Sequence, residues 1–193
     1  MRRAVAILAL VALALLAPRP AVADDALWDL LRAGGQVVVM RHAATDRSLG
    51  DPPAFRLDDC STQRNLSEEG RAQARSVGAA FASGGVPIGR VLSSQWCRCL
   101  ETARLSFGSA EPWPALNSFF RDRKFEAERT GEVRALASER PAIGNLVLVT
   151  HQLNIGSLTG IYPAEGELVV LTPLGQGNFR VAGRLRPDAL PAD

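Results

Sequence analysis

The chain contains two histidines, His42 and His151, and each directly follows a run of apolar residues. Arg41 stands immediately before the first histidine, and Arg98 follows a further apolar run by a few positions. A neutral imidazole is a nucleophile that can carry a phosphoryl group, and a guanidinium binds phosphate oxygens through paired hydrogen bonds while staying charged. A second imidazole, once protonated, can stabilise negative charge on the transferred group. These four side chains therefore indicate phosphoryl transfer that needs no metal ion.

Predicted strands explain how residues so distant in the chain could meet. Val37–Val39 and Leu146–Val149 are unbroken aliphatic runs, typical of strands buried on both faces of a sheet, and Arg90–Ser93 is a shorter third strand. In parallel α/β sheets, ligands bind beyond the carboxyl ends of the strands, where these histidines and arginines fall. Taken singly, a buried histidine more often satisfies a local hydrogen bond and an arginine more often forms a surface ion pair. It is their convergence that indicates a site.

Segments with helical spacing of apolar residues alternate with these strands. The predicted helices cover Asp24–Arg32, Ser67 to the Gly84-Gly85 pair, Gln95–Leu105, Gly131–Glu139 and Leu153–Gly160, and two final strands cover Glu167–Leu171 and Phe179–Leu185, the second at an edge. This order predicts an α/β fold, a three-layer sandwich with a largely parallel central sheet. The polar segment Arg41–Asn65 is long enough to be a functional loop, and Pro112–Phe120 is expected to be irregular.

The N-terminus has the pattern of a secretory signal peptide. Met1–Arg3 is positively charged, Ala4–Ala17 is almost entirely apolar, and Ala21–Ala23 places small residues where a signal peptidase cleaves. A permanent membrane anchor is the alternative, but the apolar run is shorter than the ~20 residues that span a bilayer. We therefore expect residues 1–23 to be removed, leaving residues 24–193 as a single domain, periplasmic or secreted, with no stable membrane anchor.

Charge and composition limit the classes of partner. Apolar residues make up 47% of the chain and charged residues 22%, which suits a folded domain with a buried core. The chain has 22 basic and 20 acidic residues; loss of residues 1–23 removes three arginines and leaves 19 and 20, a net charge of −1. A nearly neutral domain has no general electrostatic attraction for nucleic acid, so no nucleic-acid partner is expected.

Three cysteines, Cys60, Cys97 and Cys99, allow one disulfide and one free thiol in an oxidising compartment. Zinc is the alternative. The single residue between Cys97 and Cys99 is shorter than the usual spacer of zinc sites, and His42 and His151 are the only imidazoles. No metal ion and no cofactor are therefore expected.

Four segments resemble the sequence motifs of the phosphoglycerate mutase-like histidine phosphatases. Val39–Thr45 is similar to the R-H-G-x-T motif, and Leu66–Ala74 is similar to the helix start L-T-x-x-G-x-x-Q-A. Ser93–Ala103 resembles S-S-x-x-x-R-x-x-x-T-A, and Val147–His151 resembles the strand before the second catalytic histidine of the family. The segments occur in the family's order and extend over Val37–Gly160, so the resemblance implies the fold of that family.

The resemblance also implies a role for each matching residue. His42 would be the nucleophile that carries the phosphoryl group, and Arg41, Arg98 and His151 would complete the phosphate pocket. Thr45 stands at the threonine of the first motif, where it would bind phosphate.

Two further polar residues, Gln152 and Asn154, follow the second histidine closely. Two interpretations stay open for them. Their amides either bind phosphate or a substrate hydroxyl, or they cap the helix that follows.

The family pattern is not met at every position. Ala43 replaces the common glycine after the nucleophile, and Ser48 stands where many members have asparagine. One branch of the family carries an acid directly after its second histidine, where this chain has Gln152, and the other branch has a glutamate where this chain has Ser118. No residue is therefore assigned as the acid that protonates the leaving group, and four carboxylates are candidates: Asp58, Asp59, Asp122 and Glu126.

The resemblance favours one cysteine pairing as well. Cys97 precedes the arginine that would point into the pocket, and Cys60 lies in the loop expected to cover it. Cys99 matches a small family position that packs inward. We therefore expect a Cys60–Cys97 disulfide, with Cys99 buried and free.

Together these implications predict an exported phosphatase that hydrolyses a phosphomonoester or an activated phosphate through a phosphohistidine on His42. The substrate would be a small molecule or a phosphorylated sugar of the cell envelope, and a phosphohistidine protein is a second enzymatic option. The alternative class is a non-catalytic protein that binds phosphate or a phospholigand on the same fold, as the unassigned acid would allow.

Overall fold

A six-stranded mixed sheet forms the centre of the computed structural model, which describes residues 21–48, 50 and 52–190. In chain order the strands are β1 (Val37–Arg41), β2 (Ile88–Ser93), β3 (Glu111–Pro112), β4 (Asn145–Thr150), β5 (Leu168–Gly175) and β6 (Asn178–Leu185). The α-helices of the same residues are α1 (Ala21–Ala33), α2 (Glu68–Ser83), α3 (Cys97–Phe107), α4 (Glu126–Ala137) and α5 (Gln152–Thr159).

The strands lie in the spatial order β3-β2-β4-β1-β5-β6. β3, β2, β4 and β1 run parallel to one another, whereas β5 is antiparallel to β1 and β6 is antiparallel to β5. The largely parallel sheet that the sequence predicts is therefore confirmed, with β6 at an edge. Because β4 lies between β1 and β2, Arg41 pairs with Thr150 and Ser93 pairs with Val149. The carboxyl ends of three strands thus lie side by side.

Helices cover both faces of the sheet. Along β1, Val38 and Met40 face an apolar cluster shared with α1, α2 and α3. Val37 and Val39 point to the opposite face, in a cluster shared with α4 and α5. β4 alternates between the two clusters in the same way. The three-layer sandwich is confirmed, and burial on both faces explains why these strands are continuous aliphatic runs.

The helix α4 differs from its predicted bounds. It begins at Glu126, whereas the apolar spacing predicts a start at Gly131. The early turn contains Glu126 and Glu128, which favour a helix N-terminus through its dipole but carry no hydrophobic pattern. The segment expected to be irregular contains the short β3 and a 3₁₀ turn over Pro114–Leu116.

The predicted signal peptide, residues 1–23, lies largely outside the described residues and stays a prediction. Its last three positions, Ala21–Ala23, form the start of α1. Within the part of the chain that the structure describes, no helix is both long and apolar enough to cross a membrane.

A disulfide joins the long loop after β1 to the start of α3. Cys60 and Cys97 are bonded, with their Cα atoms 5.7 Å apart, and Cys99 is a buried free thiol, as predicted. The amide of Cys97 also donates to Gln63 Oε1 at 3.0 Å. The loop is thereby attached to the end of the helix that carries Arg98.

Candidate active site

His42 and His151 come together at the carboxyl edge of the sheet. His42 directly follows β1 and His151 directly follows β4, and the amide of His42 donates to the Thr150 carbonyl at 3.0 Å. The centroids of the two imidazole rings are 5.5 Å apart, with the ring planes at 67°. Both side chains are buried. Strand pairing therefore produces the convergence that the sequence predicts.

One nitrogen of the His42 imidazole is hydrogen-bonded to the main chain, and the other is available for reaction. Nδ1 lies 2.9 Å from the carbonyl oxygen of Ala43, a group that can only accept, so Nδ1 carries the proton. The lone pair is then on Nε2, the atom that can attack phosphorus. The Ala43 carbonyl thereby sets both the tautomer and the orientation of the ring.

Side chains from α2 and α3 fix the backbone that follows His42. The amide of Ala43 donates to Thr102 Oγ1 at 3.0 Å, and the amide of Ala44 donates to Gln73 Oε1 at 3.1 Å. Gly70 packs so closely against this turn that a Cβ atom there would lie 1.9 Å from the Ala44 carbonyl oxygen. The threonine, glutamine and glycine of the sequence motifs thus position His42.

The second imidazole is positioned by hydrogen bonds at the end of β2. Asn117 Oδ1 accepts from the Gln95 amide at 2.8 Å and from the Ser94 hydroxyl at 3.1 Å, so Ser94 Oγ is left to accept from His151 Nε2, 2.9 Å away. This assigns a proton to Nε2 and leaves Nδ1 for a ligand. Cys99 Sγ lies 3.6 Å from the same Nε2, and burial raises the pKa of this thiol to about 12. The thiol therefore stays protonated.

Within the described residues, arginines surround this pair of imidazoles. Arg98 is 2% exposed, and its guanidinium carbon lies 4.4 Å from the centroid of the Trp96 ring. Arg41 donates to the Pro163 carbonyl at 2.9 Å. The guanidinium of Arg98 donates to the main-chain carbonyl of Arg64 at 3.5 Å. Arg64 is not among the residues predicted from the sequence. It is also close enough for its charge to act on both histidines.

Burial among these cations keeps both imidazoles neutral. Burial lowers the pKa of His42 well below its usual value, and the charges of Arg98, Arg41 and Arg64 lower it further. The pKa of His151 is lowered in the same way, by burial first and then by Arg98. A neutral His42 keeps the nitrogen lone pair that a nucleophile requires. A bound phosphate dianion would offset the arginine charges and favour a proton on His151.

Glu165, also absent from the sequence predictions, anchors the edge of the pocket. Its carboxylate accepts from Thr45 Oγ1 at 3.0 Å and from Arg47 at 2.9 Å, and lies 3.7 Å from a guanidinium nitrogen of Arg41. Burial alone would raise the pKa of Glu165, but the hydrogen bonds from Arg47 and Thr45 bring it below the usual value. Glu165 is therefore an ionised group that orients Arg41. The hydroxyl of Thr45 is engaged in this contact.

A sequence model of a protein family matches the part of the chain that contains the first histidine. The model of the histidine phosphatase superfamily (branch 1) matches residues 37–127, from β1 through α2, β2 and α3. Over these residues the chain resembles the histidine phosphatase superfamily. The matched region carries Arg41, His42 and Arg98, and β4 brings His151 to them.

Solved structures named as phosphatases share this fold. The protein histidine phosphatase SixA, in complex with tungstate, is 20% identical; the match covers 81% of this chain and 99% of SixA, with a TM-score of 0.60. Ecdysone phosphate phosphatase from Bombyx mori, also with tungstate, is 14% identical over 82% of this chain and 94% of that chain, with a TM-score of 0.57. A mutant phosphoserine phosphatase from Entamoeba histolytica, in complex with phosphoserine, is 13% identical over 81% of this chain and 99% of that chain, with a TM-score of 0.55. At these identities the likeness shows the fold alone, and it confirms the predicted architecture. No curated protein matches the chain.

Gln152 and Asn154 both bind main-chain carbonyls. Gln152 Nε2 donates to the Pro163 carbonyl at 3.0 Å, the same oxygen that accepts from Arg41. Asn154 Nδ2 donates to the Asn117 carbonyl at 2.9 Å. Gln152 therefore lies beside a pocket arginine, whereas Asn154 supports the segment after β3.

The four carboxylates considered as general acids all have other contacts or face solvent. Hydrogen bonds from neighbouring side chains lower the pKa of Asp59 and of Asp122, and each caps a 3₁₀ turn. Glu126 accepts from a serine of α5 at 2.6 Å. The side chain of Asp58 is 89% exposed. Asp59 and Asp122 are consequently ionised at neutral pH.

Among the residues that the structure describes, no cluster of three or more histidine, cysteine, aspartate or glutamate side chains could hold a metal ion.

Proposed function

We propose that this chain is a phosphatase that forms a phosphohistidine on His42 and then hydrolyses it. The observation that carries the proposal is the 2.9 Å contact between His42 Nδ1 and the Ala43 carbonyl, which presents a neutral Nε2 inside a pocket of arginines. Enzymes that transfer phosphoryl groups work chiefly by such positioning and electrostatic stabilisation. The likeness to proteins named as phosphatases supports a phosphoric ester hydrolase.

The first step transfers the phosphoryl group to the protein. Arg41 and Arg98 bind the non-bridging oxygens, and His151 takes up a proton from solvent on Nδ1 as the dianion enters and keeps it while hydrogen-bonding to the transferring group. Nε2 of His42 attacks phosphorus while the bond from phosphorus to the leaving group breaks. The electron pair of that bond departs with the leaving group.

The second step returns the enzyme to its starting state. A water molecule attacks the phosphorus of phosphohistidine, the P–N bond breaks, and its electron pair returns to Nε2 of His42. Inorganic phosphate then leaves. The guanidinium groups supply the positive charge throughout, so the reaction requires no metal ion.

The same proposal extends to where the enzyme works and what it acts on. The signal-like N-terminus and the Cys60–Cys97 disulfide both suit an oxidising compartment outside the cytoplasm. We propose a small or cell-envelope molecule that carries a phosphomonoester or an activated phosphate. A phosphohistidine protein is the second enzymatic option, supported by the likeness to SixA.

Trapping the intermediate tests the mechanism. Aryl phosphate labelled in the phosphoryl group is mixed with excess enzyme and quenched in alkali, which preserves phosphohistidine. We expect label on His42 and none in the His42→Ala variant. Single turnover that proceeds without label on any residue would show that the covalent mechanism is wrong.

A non-catalytic phosphate-binding protein is the second candidate function. The engagement of Asp59, Asp122 and Glu126 in other contacts favours it, because an enzyme acting on unactivated esters needs a proton donor. This candidate predicts tight tungstate or phosphate binding and no turnover of aryl phosphates or acetyl phosphate. Measurable turnover that His42→Ala abolishes would exclude it.

A further inference from the structure

An aromatic cluster borders the pocket on the side of His151. The centroid of the Trp96 ring lies 5.9 Å from that of His151, the Phe55 ring stacks on Trp96 at 4.2 Å, and Phe120 lies 6.3 Å from Trp96. We call Phe55, Trp96 and Phe120 the aromatic rim. Trp96 is buried, Phe55 is half-buried and Phe120 is 40% exposed. The aromatic rim therefore leads from a catalytic imidazole to the protein surface.

Two loops meet at the aromatic rim and are fixed to each other. One begins at Asn117, which bonds to the serine that positions His151, and reaches Phe120 three residues later. The other carries Phe55. Arg121 joins them, because it donates to two carbonyls of the Phe55 loop at 2.8 and 2.9 Å. Its guanidinium carbon lies 5.0 Å from the Phe55 ring and 5.4 Å from the Phe120 ring.

We propose that the aromatic rim binds the leaving group of the substrate, and that this leaving group is a planar aromatic ring. The inference rests on the proposed phosphatase function and names its substrate class. Aromatic rings attract one another at centroid distances of about 4.5–7 Å, and a guanidinium over a ring face adds to the attraction. A ring bonded to a phosphoryl group held beside His151 would meet the aromatic rim, which has Phe120 and Arg121 at its exposed end. An alkyl sugar has no aromatic ring for such an interaction.

The bond changes of the transfer step suit such a leaving group. Nε2 of His42 forms a bond to phosphorus while the bond from phosphorus to the leaving group breaks. That bond is to the oxygen attached to a phenyl ring, or to a nitrogen of an imidazole ring. The electron pair leaves with the ring. A phenol has a pKa of about 10, so the phenolate leaves without a proton donor far more readily than an alkoxide and is protonated afterwards by water. An imidazole leaves as a neutral base when its other nitrogen carries a proton.

Binding of phosphonates to the full chain tests the proposal without any turnover. We expect phenylphosphonate to bind about 2- to 10-fold more tightly than methylphosphonate, as an aromatic contact of ordinary strength requires. Phe120→Leu keeps the apolar volume and should remove the preference, whereas Phe120→Tyr should retain it. Phe179→Leu makes the same change on β6, where Phe179 pairs with Pro173 beyond the amino end of β1, and this matched control should also retain the preference. Equal affinities in the wild type, or an unchanged preference in Phe120→Leu, would overturn the proposal.

Turnover of paired substrates then distinguishes the two kinds of ring. The pairs are 2,4-dinitrophenyl phosphate with acetyl phosphate, and phosphoimidazole with phosphoramidate. Phe120→Leu should lower kcat/KM about 2- to 10-fold for the ring-bearing member and leave its partner unchanged. The pair with the larger effect identifies the ring as phenolic or as imidazole. An equal fall for both members of each pair would refute ring recognition. Ring-selective phosphonate binding with no turnover of any substrate would instead contradict the phosphatase function.

Discussion

The hydroxyl oxygen of Thr102 lies 3.0 Å from the amide nitrogen of Ala43 and therefore fixes the residue whose carbonyl orients His42. The same hydroxyl donates to the carbonyl of Arg98 at 2.7 Å. One buried side chain of α3 thus connects the turn after His42 with the helix end that carries Arg98.

Replacement of Thr102 should lower both stability and catalysis. Thr102→Val leaves the buried Ala43 amide without its acceptor, which costs about 1–2 kcal/mol of stability. The Ala43 carbonyl then holds His42 less firmly, so kcat/KM should fall by on the order of tenfold, which corresponds to about 1.4 kcal/mol in the barrier. Thr102→Ser keeps the hydroxyl and should retain most of the activity. The measurement is kcat/KM for an aryl phosphate beside the unfolding temperature of each variant. A valine variant with unchanged kcat/KM and a lower Tm would assign Thr102 a purely structural role.

Arg98 and His151 should each be essential to the rate. Loss of one preorganised charge partner typically costs on the order of 10²–10³ in rate, so Arg98→Ala and His151→Ala should lose at least that factor in kcat/KM. Arg90→Ala removes an exposed arginine that pairs with Glu111 on the same sheet, and it should be nearly silent. Circular dichroism confirms that each variant is folded. Near-normal activity in either pocket variant would remove that residue from the mechanism.

The Cys60–Cys97 disulfide should support both stability and catalysis. The link closes a loop with a sequence separation of 37, which the chain-entropy model equates with about 3–4 kcal/mol. Reduction by a dithiol, or Cys60→Ser, should therefore lower the Tm by on the order of 10 °C. It should also weaken inhibition by tungstate, because the loop that carries Arg64 is released from α3.

Cys99→Ala is the control for that experiment, since it removes a free thiol and leaves the link intact. It should keep the wild-type sensitivity to reduction. Insensitivity of the wild type to complete reduction, verified by thiol counting, would show that the disulfide does not organise the pocket.

The two buried imidazoles should make the protein less stable in acid. Their pKa values in the folded state lie below the unfolded value of about 6.5, so the unfolded state binds more protons below that pH. Above about pH 6.5 both histidines are neutral in the folded and the unfolded state, and the free energy of unfolding is not reduced by their protonation. As the pH falls from there toward the folded-state pKa, each histidine lowers the free energy of unfolding by about 1.4 kcal/mol per pH unit. Urea unfolding at a series of pH values measures the slope. His151→Asn should make the slope shallower, and an equal slope in that variant would contradict the neutral state.

The chemistry of the leaving group should control the first step. If no acid protonates the leaving group, kcat/KM should fall steeply as the pKa of the leaving group rises across a series of phosphate esters, because general acid catalysis is worth roughly 10²–10⁴-fold. A flat dependence would mean that an acid is present. Each candidate is then replaced by its amide, and the acid is the residue whose loss makes the plot steep while sparing activated substrates: Asp58, Asp59, Asp122 or Glu126.

The sequence predicts the sheet and the histidines well because the signals there are local. Strands buried on both faces leave unbroken aliphatic runs, and the residue after each run is at the carboxyl edge by necessity. Arg41, His42 and His151 are placed by that rule alone. Arg98 follows from its position in the first turn of a predicted helix.

The parts that sequence reasoning misses depend on long-range contacts. Arg64 lies in a polar loop, and its place two residues before the Leu66 motif is the only local signal. Glu165 meets Thr45 and Arg41 across about 120 positions of chain, and no pattern near it indicates this. The start of α4 is missed because charged residues open that helix.

The position of β4 between β1 and β2 has a consequence for how the pocket comes into being. The ribosome makes β4 last of the three, yet it separates the other two in the finished sheet. β1 and β2 are therefore not paired in the native sheet and are joined only through residues 145–150. Strand pairings of such long range are slow to form, since loop closure must precede any gain from contact. A nascent chain shorter than about 150 residues thus lacks both the strand that joins β1 to β2 and the second histidine of the pocket, which directly follows that strand.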